Sequence, residues 1–393
     1  MRPTTTVEST TAELQKTKVA AHFGFNFILG ILTFLFVFLT NSAFAEIHIS
    51  NYKDCDGQDY PIALIRGTVD NSDDQEILLE NLSSKRSNRI VKTKIVEKKF
   101  KILAELVPGM NYLMISTPNE QLQLSLFYEK KQNRNRVRMI YLTDSTGQTS
   151  FQTPIENDPQ NYIGKLQTLA LLMQTLTAER LNDTNNGRKT FALEFDENDQ
   201  VIIHCLKGRK TAAEFEAMSD NELFNEIYDQ TERVFPTENA RNVVIMGFTR
   251  FDEVEKKAKA HTALGGGGLA LFGGGNLFTW PDSLDQVQDA FSNTTPIDGE
   301  KFLDDSAFRG TYWGAAATTM GAVHHELGHT FGLPHSEHPE DIMSRGFDHF
   351  NRVFTVIEPP PVNSDQSFIF NLENESFFAP ESVEILLKSK WFN

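Results

Sequence analysis

From His324 to His335 the chain reads HHELGHTFGLPH, and no other stretch restricts the fold as strongly. His325 and His329 are four positions apart, so on an α-helix both imidazoles leave one face about a turn apart. That spacing lets two nitrogens reach one Zn²⁺ at roughly 2.0–2.1 Å. Glu326 stands beside the first of them, within reach of a metal-bound water without occupying the metal. Gly332 can take a left-handed conformation and end the helix, and Pro334 prevents its continuation. The chain then turns back, and His335 supplies a third nitrogen. Three neutral ligands leave a coordination position open, as in a catalytic rather than a structural zinc site. His324, His338 and His349 complete the local histidines and read as supporting or surface residues.

The N-terminal region sets the compartment. Phe23–Leu39 is a run of 17 residues in which Asn26 and Thr33 are the only plainly polar side chains. Arg2, Lys16 and Lys18 precede it. Ala43 and Ala45 then give the small-residue pattern of a signal-peptidase site, with Glu46 as the new terminus. Residues 1–45 therefore read as a signal peptide of a secreted protein, the second reading being an uncleaved type II membrane anchor. Sequons at Asn81, Asn182, Asn293 and Asn374 permit glycosylation in that compartment. Cys55 and Cys205 leave two readings open, a single bridge or two buried free thiols.

Residues 46–150 hold short apolar runs divided by turn residues, among them 61–69, 100–107, 111–117, 122–129 and 136–144. They predict an antiparallel β-sandwich. From 151 to 355 the pattern becomes α+β. A helical stripe spans 162–181, a strand pair flanks the DEND turn at 196–199, a helix covers 212–235, and a buried strand covers 242–251. Seven glycines crowd residues 265–275 without the GK[ST] of a phosphate loop. Pro359–Pro361 opens a connector to a C-terminal docking segment, 356–393.

HExxHxxGxxH from His325, followed by Asp341-Ile342-Met343-Ser344, resembles the metzincin zinc metallopeptidases, whose motif precedes a methionine turn beneath the metal. The resemblance makes Met343 the methionine of that turn, His325, His329 and His335 the zinc ligands, and Glu326 the general base. It implies a metzincin-like catalytic domain with a twisted mixed sheet, long helices and an active-site helix. The Ser after His335 is similar to matrixins, but no matrixin propeptide switch is found, and no tyrosine after Tyr312 could serve as the astacin ligand. The segment from His324 to Phe354 is most similar to a group of eukaryotic zinc metallopeptidases in which an IMxRxxxxFNR-like stretch, here Ile342–Arg352, follows the site. The resemblance also implies a substrate strand on a sheet edge, for which Leu269–Phe272 is the candidate.

Charge narrows the partners. Residues 151–393 carry 19 basic and 37 acidic side chains, which disfavours nucleic acid. A protein or peptide substrate is expected, and a membrane only if the N-terminal segment stays attached. Basic clusters at 85–89, 92–101 and 130–138 support an alternative: an exported glycan- or protein-binding β-sandwich protein whose metzincin-like domain binds zinc without catalysis. The oligomeric state is not encoded in any motif.

Overall fold

The computed structural model describes residues 46–70, 73–84 and 90–393. The expected signal peptide and its cleavage site lie outside the described residues, as does the 85–89 cluster. Among the described residues no helix is long and apolar enough to cross a membrane.

The first strands are β1 (Ile47–Ile49), β2 (Asp56–Gln58), β3 (Ile62–Val69), β4 (Glu76–Asn81), β5 (Ile90–Lys94), β6 (Lys99–Glu105), β7 (Gly109–Ser116) and β8 (Gln121–Tyr128). They form a three-stranded sheet, β1-β3-β6, and a five-stranded sheet, β2-β8-β7-β4-β5. All pairs are antiparallel except β2 with β8. Period-two alternation sends Ala63, Ile65, Phe100, Ile102 and Ala104 into a core shared with Ile77, Leu79, Leu113, Ile115, Leu124 and Leu126 of the second sheet. The intervening Ile62, Leu64 and Leu103 point the other way, into the main core of the molecule. The three-stranded sheet is thus buried on both faces.

Next come β9 (Arg136–Thr143), α1 (Tyr162–Asp183), β10 (Ala192–Leu193), β11 (Ile203–Lys207), α2 (Ala212–Glu216), α3 (Asp220–Val234), β12 (Ala240–Met246), β13 (Arg250–Asp252), β14 (Lys257–Lys259), β15 (Ala263–Gly266) and β16 (Leu269–Gly273). Among the helices that follow are α4 (Tyr312–Thr330) and α5 (Pro380–Lys388). Six of these strands make a mixed sheet in the order β10-β9-β12-β16-β15, with β11 also on β9. All its pairs are parallel except β15 with β16. One face packs against α1 and α4 through Met139, Tyr141, Leu169, Met173, Met320 and Val323. The other packs against α2 and α3 through Ile140, Leu142, Phe215, Leu223 and Ile227. The architecture is mixed α and β with several sheets.

Three sequence-based expectations change. Arg136–Thr143 is not a strand of the first two sheets but a central strand of the mixed one, pairing with β12 over seven residues. Its imperfect alternation reflects burial of both faces, as parallel strands require. The pair around the DEND turn lies largely in line along the β9 edge, and only Phe195 and Val201 bridge across the turn. The helix expected over 212–235 is two, because Ser219 caps a second start with Glu222 just as Thr211 caps the first with Glu214. The docking segment ends in a helix, α5, and Leu386, Trp391 and Phe392 enter the main core.

Helix α1 joins the β-strands of 46–128 to the rest through one buried carboxylate. Glu179 is fully buried and accepts from Asn51 at 3.0 Å, Tyr52 at 3.3 Å, Tyr60 at 3.1 Å, Arg66 at 3.1 Å and Arg188 at 2.6 Å. Burial first and this carboxylate second push the Tyr52 hydroxyl well above its ordinary range, and burial, then Tyr52, then this carboxylate do the same to Tyr60. Removing the carboxylate would leave the part-buried Arg188 guanidinium without a carboxylate partner, while Arg66 would keep Asp183. Glu179→Ala is therefore expected to lower the unfolding free energy by about 3–5 kcal/mol. Urea denaturation of the variant and the wild type measures it.

Candidate metal centre

The site is built on α4. Thr311 caps its start by accepting from the Gly314 amide, and all its residues except Tyr312 and His329 are buried. It ends in a Schellman turn. The Gly332 amide donates to the His329 carbonyl at 3.0 Å and the Leu333 amide to the Gly328 carbonyl at 3.1 Å. Gly332 itself has φ +90°, the left-handed conformation expected of it.

That turn has a second consequence. It aims the Leu333 carbonyl at His329, whose Nδ1 lies 2.9 Å away. The Ile342 carbonyl stands 2.7 Å from Nδ1 of His325. A carbonyl only accepts, so both rings carry their proton on Nδ1 and present a lone pair at Nε2. Those lone pairs converge. Nε2 of His329 is 3.1 Å from Nε2 of His325 and 3.1 Å from Nε2 of His335. Tetrahedral bonds of about 2.0–2.1 Å place ligand nitrogens about 3.3–3.4 Å apart. Acceptors this close repel one another unless a cation lies between them, so the donor set fits a zinc ion. Among the described residues, these three form the one group able to hold a metal.

Burial keeps the rings in the neutral form that metal binding needs. It pushes His325 down to about 4 and lowers His329, in both cases against the carbonyl at Nδ1, which raises proton affinity. Glu326 is buried, and burial raises its carboxyl to about 7. No described residue donates to that carboxylate, so it is uncommitted.

Met343 lies in the turn that supplies Ile342 and is fully buried. It packs on α4 where α4 has no side chain: a Cβ at Gly328 would stand 2.4 Å from Met343 Sδ. At Gly321 the approach is tighter, since a Cβ there would stand 2.0 Å from the Phe347 carbonyl oxygen. The Phe347 ring meets His325 edge-on at 5.2 Å, and Arg345 lies over its face at 4.7 Å.

The other histidines are elsewhere. His324 is a core residue on the α1 side of α4, with Nε2 3.0 Å from Thr177 Oγ1 and its ring between Phe350 and Phe378. Burial pushes it down to about 3. His338 is exposed, and His349 has Nδ1 4.0 Å from Glu358. Cys55 and Cys205 are both free and both exposed, so neither the bridge nor the buried-thiol reading describes them. The Asp54 carboxylate raises the Cys55 thiol, which opposes thiolate formation. Leu269–Phe272 lies inside the mixed sheet as part of β16; the edge is β15, which the glycine-rich sequence conceals. The Ile342 and Leu333 carbonyls went unread because main-chain groups leave no mark on a motif. Asp341, two residues before Met343, carried the one usable signal, an acidic side chain at turn spacing.

The chain carries a three-histidine centre that fits zinc. It belongs to the family described as "Putative peptidase family", whose sequence model matches residues 46–380. A protein of Schizosaccharomyces pombe named as a putative zinc metalloproteinase is 30% identical over 280 residues, covering 66% of this chain and 45% of its own length. One of Saccharomyces cerevisiae with the same designation is 26% identical over 304 residues, covering 68% and 43%. The chain thus spans less than half the length of these relatives. Among solved structures, wild-type OgpA from Akkermansia muciniphila aligns at 17% identity with a TM-score of 0.41, covering 67% of this chain and 63% of that one. Catalytically inactive OgpA in complex with an O-glycopeptide substrate aligns at 16% with a TM-score of 0.42, covering 67% and 62%.

The backbone approach at Gly321 leaves no room for a methyl group. Gly321→Ala is expected to lose about 1–3 kcal/mol of stability by overpacking. Thermal unfolding of the metal-free protein measures it without interference from metal binding.

Proposed function

We propose that the protein is a secreted zinc-dependent endopeptidase in which His325, His329 and His335 hold the metal and Glu326 is the general base. The observation that carries this reading is the pair of carbonyls turning two Nε2 lone pairs toward a third, next to a buried and uncommitted carboxylate. Zn²⁺ supplies Lewis-acid polarisation of a carbonyl and a more acidic water. Glu326 takes the proton from the attacking water and returns it to the leaving amine. A carboxyl whose burial raises its proton affinity suits a group that must do both.

Peptide lies, on this reading, along the free edge of β15. Gly265 brings that strand against α4 at Glu326, where a Cβ would stand 2.2 Å from the Glu326 carbonyl oxygen. A strand added there would pair through its main chain beside the helix that carries His325 and His329. Met343 serves as an apolar floor rather than a ligand, since a thioether suits softer metals than zinc. The mixed sheet with α4 is read as a metzincin-like catalytic domain and β1–β8 as a small β-sandwich packed on it.

Two experiments on the full chain from a secretory host test the reading. Elemental analysis is expected to find one zinc per chain, lost in His329→Ala and kept in Glu326→Gln. Hydrolysis of a peptide library is expected for the wild type and absent in both variants. Turnover by Glu326→Gln equal to the wild type would remove Glu326 as the base. For export, mass spectrometry of the secreted chain is expected to find Glu46 at its N-terminus, and retention of 1–45 would make it a membrane-anchored ectoenzyme.

A further inference from the structure

We propose that Asp341 is a positioning residue that couples the C-terminal segment to the metal centre, so that α5 and the three imidazoles order one another. The inference rests on the reading that His325, His329 and His335 hold a metal.

Asp341 is completely buried and forms no ion pair with any described cation. Its two carboxylate oxygens instead take one main-chain amide each, from opposite directions. Oδ1 accepts from Met343 at 2.8 Å, inside the methionine turn. Oδ2 accepts from Ala379 at 3.0 Å, the residue that opens α5. The carboxylate therefore sits at the amide-bearing start of a nine-residue helix. Its own carbonyl takes the amides of Ser344 at 2.8 Å and Gly346 at 3.0 Å, so one residue organises the whole turn.

The path from there to the metal is short and continuous. Asp341 and Phe377 form a parallel bridge, in which the Ile342 amide donates to the Phe377 carbonyl at 2.9 Å and the Phe377 amide to the Glu340 carbonyl at 3.2 Å. Ile342 then uses its own carbonyl to accept from His325 Nδ1. Phe377, Ile342 and His325 thus form a hydrogen-bonded relay from the C-terminal segment to the first ligand. The Met343 carbonyl accepts from Ser336 at 3.0 Å, which ties the residue after His335 to the same turn. Two of the three ligands are held through a turn whose position Asp341 sets against α5. Partners of this kind orient ligand rings, and their loss costs about 10–100-fold in metal affinity.

A coupling of this type is reciprocal: if the segment orders the site, the metal orders the segment. Because a bound metal slows exchange wherever the fold opens globally, the readout is slowing at 377–388 beyond that seen in α1. Hydrogen exchange of the full chain, with and without zinc, reads it in the wild type. Zinc is expected to slow exchange in the 377–388 peptide beyond that in α1, and Asp341→Asn to abolish that excess. Asparagine keeps the shape but can accept only one of the two amides. Chelator competition with zinc is expected to show affinity reduced about 10-fold in Asp341→Asn and about 100-fold in Asp341→Ala. Zinc affinity within twofold of wild type in the folded Asn variant, or exchange at 377–388 slowed by zinc no more than in α1 in the wild type, would overturn the coupling alone. A wild-type chain that takes up no zinc would overturn the metal reading and the coupling with it.

Discussion

The orientation of two imidazole rings is the constraint on which the rest of the structure depends. A histidine at helical spacing is aimed at a metal by what holds its other nitrogen, and here the holders are the carbonyls of Leu333 and Ile342. The first is local: the turn that ends α4 produces it within a few residues. The second is not. Ile342 must be brought back beneath α4, which is feasible because Gly321 and Gly328 remove the side chains that would block the return. The strand-like bridge to Phe377 then holds the returned turn in place. A helix motif, two bare helix positions and a distant C-terminal segment serve one pair of hydrogen bonds.

The 46–128 strands belong to the same arrangement. Because β3 and β6 are buried on both faces, Ile62, Leu64 and Leu103 form part of the core that also contains Leu327 and Met343. Removing these strands would expose α1 and strip apolar surface from the wall behind α4. Glu179 adds a polar tie at the same seam, where Arg66 from one side and Arg188 from the other meet a single carboxylate. A buried charge of that type contributes little net stability but penalises any other docking geometry. The seam is better understood as a register device than as a source of affinity.

What was legible in the sequence was local, and what was illegible was partnership. The histidine spacing and Gly332 could be read because each acts within a turn or two of its own position, whereas Met343, which packs across the fold on Gly328, was named only through the resemblance. Helix α1 was legible from its apolar stripe, and α5 only as a docking segment. Arg136–Thr143 was assigned to the wrong sheet because a strand's sequence reports how buried it is, not which strand lies beside it. The same limit concealed the edge: Ala263–Gly266 has little side-chain signature, while the apolar Leu269–Phe272 looks like the stronger strand and lies inside. His324 adjoins His325 in sequence but turns about 100° around the helix, which sends it into the core. For Cys55 and Cys205, two residues gave no pattern to read.

Helix α4 finally explains how a site of this kind keeps its geometry with no dedicated scaffold around it. A surface helix buries one stripe and can shift or tilt with its neighbours. α4 is enclosed almost all round, with the mixed sheet on one side, α1 on another and the 345–353 turn beneath. Its small residues, Ala315 to Ala317 and Gly321, let those neighbours approach closely, so that any slide would drive backbone into backbone. Apart from Tyr312 at its start, only the C-terminal turn reaches solvent, and there His329 and His335 are accessible while His325 and Glu326 stay buried. Rigidity is supplied by the interior and access by the helix end, so the histidines and Glu326 are both fixed and open at one end. His335 is the exception, since it is exposed and lies beyond the helix on a connection held by the Ser336 amide and the Met343 carbonyl. Of the three, it depends most on the turn that Asp341 organises, and so the coupling to α5 acts where the site is least supported by packing.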